Sequence, residues 1–214
     1  MHRPALGERR TLAGPAGAIE ALIETPADAG AAVRAFGIVC HPHPLFGGTL
    51  DNKVVWTLAR AFQQLGAPTV RFNFRGVGGS AGRYAEGEGE TQDLLAVIAW
   101  GRGRWPGAAL WLGGFSFGGV VALRAAAEAH PERVVLVAPG ITKIDVSRVR
   151  PPACPWLVVQ GDEDEVVPPQ TVLAWAQSVT PAPEITLLPG AGHFFHGRIN
   201  ELREAVLAFM SRAA

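Results

Sequence analysis

"WLGGFSFGGVVALRAAAEAHPE" (residues 111–132) changes character at one serine. The residues before Ser116 read as a buried strand. Those after it read as an alanine-rich helix that ends at Pro131. Gly114-Phe115-Ser116-Phe117-Gly118 fits G-x-S-x-G at that junction. A serine held there sits on a strained turn with its Oγ above the sheet, and small neighbours let strand and helix pass closely. The helix N-terminus also places N–H groups beside the hydroxyl, where negative charge could develop. The bland reading is an ordinary helix cap in a glycine-rich turn.

Outward from this junction, apolar runs alternate with helical patterns. Strands are predicted at 18–24, 35–41, 68–74, 108–115, 133–139, 155–161 and 184–190. Helices are predicted at 52–66, capped by Asp51 or Asn52, and at 90–103, 117–130, 169–179 and 199–212. This alternation implies an α/β fold, a mostly parallel sheet of about eight strands with helices on both faces. The first two strands have no helix between them and are expected to form an antiparallel edge. Such sheets bind ligands beyond the carboxyl ends of their strands.

A serine hydroxyl needs a base, and the base an orienting acid. "VVQGDEDEVVPP" (158–169) follows one strand and offers Asp162 and Asp164. "LLPGAGHFFHG" (187–197) follows the last strand and offers His193. Ser, acid, His is the chain order expected for this architecture. Glu163 and Glu165 read as solvated neighbours in an acidic turn.

The blocks "HPHPLFGG", "FNFRGVG", "GFSFGG", "GDEDEVVP" and "GHFFHG", in this order over about residues 30–212, resemble the α/β-hydrolase superfamily. More narrowly, they resemble its small lidless serine hydrolase branch near the dienelactone hydrolases. The resemblance implies Ser116 as nucleophile, Asp164 as acid through G-x-x-D-x-x-V-P, and His193 as base. Dienelactone hydrolases use cysteine where this chain has Ser116, which argues against that substrate. The loop after the third strand would supply one oxyanion N–H and Phe117 the other. Pro42 and Pro44 carry no N–H. Leu45 serves if His43 to Gly47 plays the family's H-G-x-x-G loop, and His43 serves if the register starts at His41; the first register is preferred. Phe46, Phe115 and Phe194 lie beside these positions and are candidate substrate contacts, or else walls of the core.

The expected activity is hydrolysis of small carboxylic esters or thioesters through an acyl-enzyme, with no cofactor and no metal. Residues 140–154 leave no room for a cap domain, so the site should be open, and residues 1–214 should form one domain. Two rivals remain. H-x-H at His41 and His43, with His193 and His196 three apart, suggests a metal-dependent hydrolase; against this, His41 could simply order its loop. A non-catalytic binding scaffold is the other.

The remaining signals are weaker. With 19 basic and 19 acidic residues the charge balances, so neither nucleic acid nor an anionic membrane is expected as a partner. Hydrophobic residues make up 48%, enough for a large core. Cys40 and Cys154 read as buried and unpaired. "MHRPALGERR" lacks a signal peptide's apolar stretch, and no apolar run reaches membrane-spanning length, so a cytoplasmic monomer or homodimer is expected. Gly76-x-Gly78-x-x-Ala81 nearly matches a dinucleotide fingerprint, but a loop rather than a helix follows it. Arg75 there should pair with Glu90 or Asp93. Most tryptophans, Trp56, Trp100, Trp111 and Trp175 among them, should pack in the core.

Overall fold

A computed structural model describes residues 6–27 and 33–212. Among these residues eight strands form one sheet in the order β1-β2-β4-β3-β5-β6-β7-β8. The strands are β1 (Leu6–Gly14), β2 (Gly17–Thr25), β3 (Ala35–Cys40), β4 (Thr69–Phe72), β5 (Ala109–Phe115), β6 (Arg133–Val137), β7 (Trp156–Gly161) and β8 (Glu184–Leu188). From β4 to β8 through β3 every pairing is parallel, while β1 and β2 run antiparallel at one edge.

The antiparallel edge differs from the expected one. β2 pairs with β1 and β4, not with β3. All six residues of β3 are buried, so it takes a central place with neighbours on both sides. β2 carries Glu20 and Glu24, which meet partners across the sheet: Glu24 accepts from buried Arg71 at 3.0 Å, and Glu20 accepts from Asn73 at 2.7 Å. β1 itself escaped the pattern reading, since most of its described side chains are exposed.

Helices α1 (Lys53–Gln64) and α5 (Ile199–Met210) cover one face. Helices α2 (Glu88–Arg104), α3 (Phe117–Ala129) and α4 (Pro169–Ser178) cover the other. α1 starts where the Asn52 side chain accepts from the N–H groups of Val54 and Val55, so Asn52, not Asp51, is the cap. Between β6 and β7, residues 138–155 form neither helix nor strand. No described helix is long and apolar enough to cross a membrane.

Two smaller expectations resolve differently, and a third is narrowed to one partner. Cys154 lies in the loop before β7 and is only half-buried, unlike Cys40. Trp56 is 45% exposed rather than core. Arg75 pairs with Asp93 through two side-chain hydrogen bonds of 2.9 and 2.7 Å, while Glu90 accepts from the N–H groups of Ala85 and Gly87.

Candidate active site

Ser116 joins β5 to α3 at φ 54° and ψ −117°, a region that a side chain with a Cβ rarely occupies. The flanking glycines explain how the turn closes. A Cβ on Gly114 would lie 2.2 Å from the Gly118 carbonyl oxygen; one on Gly118 would lie 2.4 Å from the His41 carbonyl oxygen. Only hydrogen fits either space. The Ser116 carbonyl then accepts from Gly119, Val120 and Gly140, which ties the turn to the start of α3 and to the loop after β6.

Two other strand ends bring partners. Asp164 follows β7 and is buried. Its Oδ1 accepts from the backbone N–H groups of Val166 (2.9 Å) and Val167 (2.7 Å). Its Oδ2 accepts from Gln160 Nε2 and from His193 Nδ1, both at 2.8 Å. Burial alone would raise its pKa. The His193 hydrogen bond, the Val167 N–H, the His193 charge and the Val166 N–H together outweigh burial and hold the carboxyl below its ordinary value of 3.8. His193 follows β8, and its Nε2 lies 3.0 Å from Ser116 Oγ. A carboxylate can only accept, so Nδ1 carries a ring proton, and in the uncharged form of the ring Nε2 is the atom that accepts from the hydroxyl.

The other acidic residues have separate positions. Asp162 Oδ1 accepts from Gly190 N at 2.7 Å and so ties the loop that carries His193. It does not meet the imidazole. Glu163 and Glu165 are exposed as expected, although Glu165 also accepts from the His193 backbone N–H at 3.3 Å.

Gln160 was not singled out in the sequence. It is fully buried, and its Oε1 has no hydrogen-bond partner among the described residues. The signal was there: one amide within the apolar strand "WLVVQG", four residues before Asp164.

The HPHP loop differs from expectation at Leu45, while His41 orders the loop as its bland reading has it. His41 is buried; its Nε2 accepts from the Phe74 N–H at 3.0 Å, so Nδ1 carries the proton and donates to the Pro42 carbonyl at 2.6 Å. Burial lowers its pKa to about 4, against the opposing pull of the Pro42 carbonyl. Both ring nitrogens are spoken for, and the ring orders the loop rather than offering a lone pair to a metal. Among the described residues no three His, Cys, Asp or Glu side chains gather as ligands. His43 Nδ1 accepts from the Leu45 N–H at 3.2 Å, capping a short 3-10 turn at Pro44–Phe46. The preferred oxyanion donor, the Leu45 N–H, is therefore already engaged. The N–H groups of His43 and Phe117 have no partner among the described residues.

A small pocket of about 80 Å³ opens beside Ser116, lined by His43, Phe46, Phe117, Ile144, Val166 and Val167, with Gly140 and Lys143 completing it. Of the three candidate substrate phenylalanines only Phe46 lines it, and that ring is 85% exposed. Phe115 is fully buried and lies against the His193 ring at 5.0 Å between centroids, so it supports the imidazole instead of facing the pocket. Phe194 stands edge-on to His193 at 5.2 Å, outside the pocket lining.

A buried parallel sheet, a strained serine at a strand-to-helix turn and strand-end partners define the architecture of an α/β hydrolase. A family model described as the alpha/beta hydrolase fold matches residues 43–139. The chain is 43% identical to a Xanthomonas campestris α/β serine hydrolase without a lid, with a TM-score of 0.91, covering 98% of this chain and 96% of that one. It is 45% identical to a Coxiella burnetii α/β serine hydrolase homologue, with a TM-score of 0.89 over 94% of this chain and 96% of the other. An uncharacterised Rickettsia prowazekii protein is 32% identical over 205 residues, 90% of this chain and 84% of that protein. The chain belongs to the α/β-hydrolase family, in its lidless branch, and is a hydrolase.

Proposed function

We propose that this hydrolase cleaves small carboxylic esters, or thioesters, through an acyl-enzyme formed on Ser116. His193 Nε2 takes the hydroxyl proton as Oγ attacks the substrate carbonyl. The ionised Asp164 carboxylate keeps the proton of His193 on Nδ1 and stabilises the imidazolium that forms. The oxyanion is held by the backbone N–H groups of Phe117 and His43; His43 replaces Leu45, whose N–H is engaged. The imidazolium returns its proton to the leaving group, which departs as an alcohol or thiol. Water, activated by the same imidazole, then releases the carboxylic acid and restores Ser116.

One observation carries this reading: the unbroken hydrogen-bond chain Asp164–His193–Ser116, of 2.8 and 3.0 Å, ends beside an apolar pocket. The pocket's volume of about 80 Å³ is well below the roughly 300 Å³ at which drug-sized ligand sites begin, so short acyl groups are favoured. Residues 138–155, without helix or strand, supply no lid for a long chain.

A fluorophosphonate probe tests the proposal. Ser116 should label, Ser116→Ala should not, and that variant should lose about four to six orders of magnitude in ester turnover. A folded wild type that never labels, or a Ser116→Ala variant retaining a tenth of the turnover, refutes it.

A further inference from the structure

The acyl pocket has one charged side chain, and it is a cation. Lys143 lines the pocket on the loop after β6, between Gly140 and Ile144, which line it too. It forms no ion pair among the described residues. A second cation stands nearby. A Cβ on Gly87 would meet Arg124 Nη1 at 2.8 Å and Ile144 Cδ1 at 3.5 Å, which sets the guanidinium close behind the pocket wall. Arg124 donates to the backbone carbonyls of Glu86 and Asp145; among the described residues no carboxylate lies within ion-pair distance of it, although its charge reaches the Asp145 carboxyl and helps to lower that group's pKa. The remaining lining is apolar apart from Ser116 and His43, and burial holds the His43 pKa below its ordinary value although Glu90 opposes this.

Which part of the substrate enters this pocket follows from the proton path. The leaving group must meet His193 Nε2 to be protonated. His193 is not among the pocket's lining residues, so the pocket takes the part that stays on Ser116.

We infer that Lys143, backed by Arg124, selects short acyl groups that end in an anion: half-esters or half-thioesters of small dicarboxylic acids. The inference rests on the acyl-enzyme reading above. The chain's methylenes pack on Phe117, Ile144 and Val167, and the far carboxylate meets the ammonium at the pocket mouth. Lysine suits this place, since its stem lies along an apolar wall while its head stays in water. Lys143 is exposed, so its pull is that of a partly solvated pair, worth a preference of about five-fold that salt weakens.

The test compares p-nitrophenyl hemiglutarate with p-nitrophenyl valerate, matched in chain length and different in terminal charge. The readout is the ratio of their kcat/KM values in wild type, Lys143→Gln and Lys143→Glu. Thermal unfolding of each variant checks folding. The expected ratio falls about five-fold in Lys143→Gln, falls further in Lys143→Glu, and shrinks in wild type as ionic strength rises. A ratio that stays within two-fold across the three proteins, with valerate still hydrolysed and Ser116 still labelled, overturns this inference alone. Wild type that neither labels at Ser116 nor hydrolyses either ester overturns the acyl-enzyme reading and this inference with it.

Discussion

Replacing Asp164 by asparagine changes one oxygen for one NH2 group and should cost more than its size suggests. Oδ1 accepts from the backbone N–H groups of Val166 and Val167, which cannot turn away. The remaining amide oxygen must therefore stay at that position. The NH2 group then occupies the place of Oδ2, facing the two donors Gln160 Nε2 and His193 Nδ1. Gln160 can turn its amide and present its unpartnered Oε1, at the expense of its bond to the Val167 carbonyl. His193 can comply only by moving its proton to Nε2. That tautomer points a donor at Ser116 Oγ and cannot take the hydroxyl proton. To react, the ring must return to the Nδ1–H form against an NH2 group. It forfeits a charge-assisted hydrogen bond worth roughly 1.5–3 kcal/mol and gains a donor–donor clash of about the same size. The sum, about 4–5 kcal/mol, is three to four powers of ten at about 1.4 kcal/mol each. The expected result is therefore a loss of about 10³ to 10⁴ in kcat on a short p-nitrophenyl ester, in a protein that still folds. Asp162→Asn should lose less than about ten-fold, because Asp162 only ties the loop at Gly190. An Asp164→Asn enzyme within ten-fold of wild type, or a larger loss at Asp162, would refute the argument.

Gln160→Leu removes the donor to Asp164 Oδ2 and also the buried orphan Oε1, so urea unfolding should show nearly unchanged stability while kcat drops about ten-fold; an unchanged kcat would mean that Gln160 has no hold on the carboxylate. Gly118→Ala places a methyl 2.4 Å from the His41 carbonyl oxygen and should lower stability by about 2–3 kcal/mol with a loss of ester turnover, measured by urea unfolding and initial rates. His41 links stability to pH. Its folded pKa of about 4 lies below its ordinary value of 6.5, so the unfolded chain binds the extra proton first. The contribution is complete above pH 6.5 and is lost as pH falls toward 4, about 3 kcal/mol in all. Urea midpoints between pH 7 and 4 should drop accordingly, and His41→Gln should flatten that part of the profile; an equally steep profile in His41→Gln would assign the slope elsewhere.

The parallel strands were legible because each is a short apolar run between helical patterns, and a strand buried on both faces has nowhere else to go. β1 was not legible. Of its described side chains only Leu12 is buried, and its nine residues are held by backbone pairing with β2, which leaves no hydrophobic period to read. The position of β3 was misread for a related reason: adjacency in sequence suggested pairing with β2, whereas the charged partners of β2 lie on β4, at Arg71, and just beyond it, at Asn73. That Ser116, Asp164 and His193 sit at one rim followed from their places just after strands. Their hydrogen bonds did not, because these depend on loop ties such as Asp162 to Gly190 and Glu165 to the His193 backbone. The engaged Leu45 N–H was out of reach altogether, since nothing in "HPHPLFGG" says which way the His43 ring turns.

These ties bear on why a hydrolase without a lid can still hold a precise site. A closing lid excludes water and completes the geometry when substrate binds. Here the same geometry exists beforehand, and it is anchored from below. Phe115 lies fully buried against the His193 ring, and Asp164 is locked by two backbone donors and one amide. The Ser116 turn is closed by glycines that approach neighbouring backbone too closely for any side chain. Each anchor is a buried contact beneath the rim and not a cover over it. The site can therefore stay open to solvent without losing alignment. Phe46, Val166 and Lys143 are exposed lining residues of the pocket and are therefore placed to meet whatever enters it.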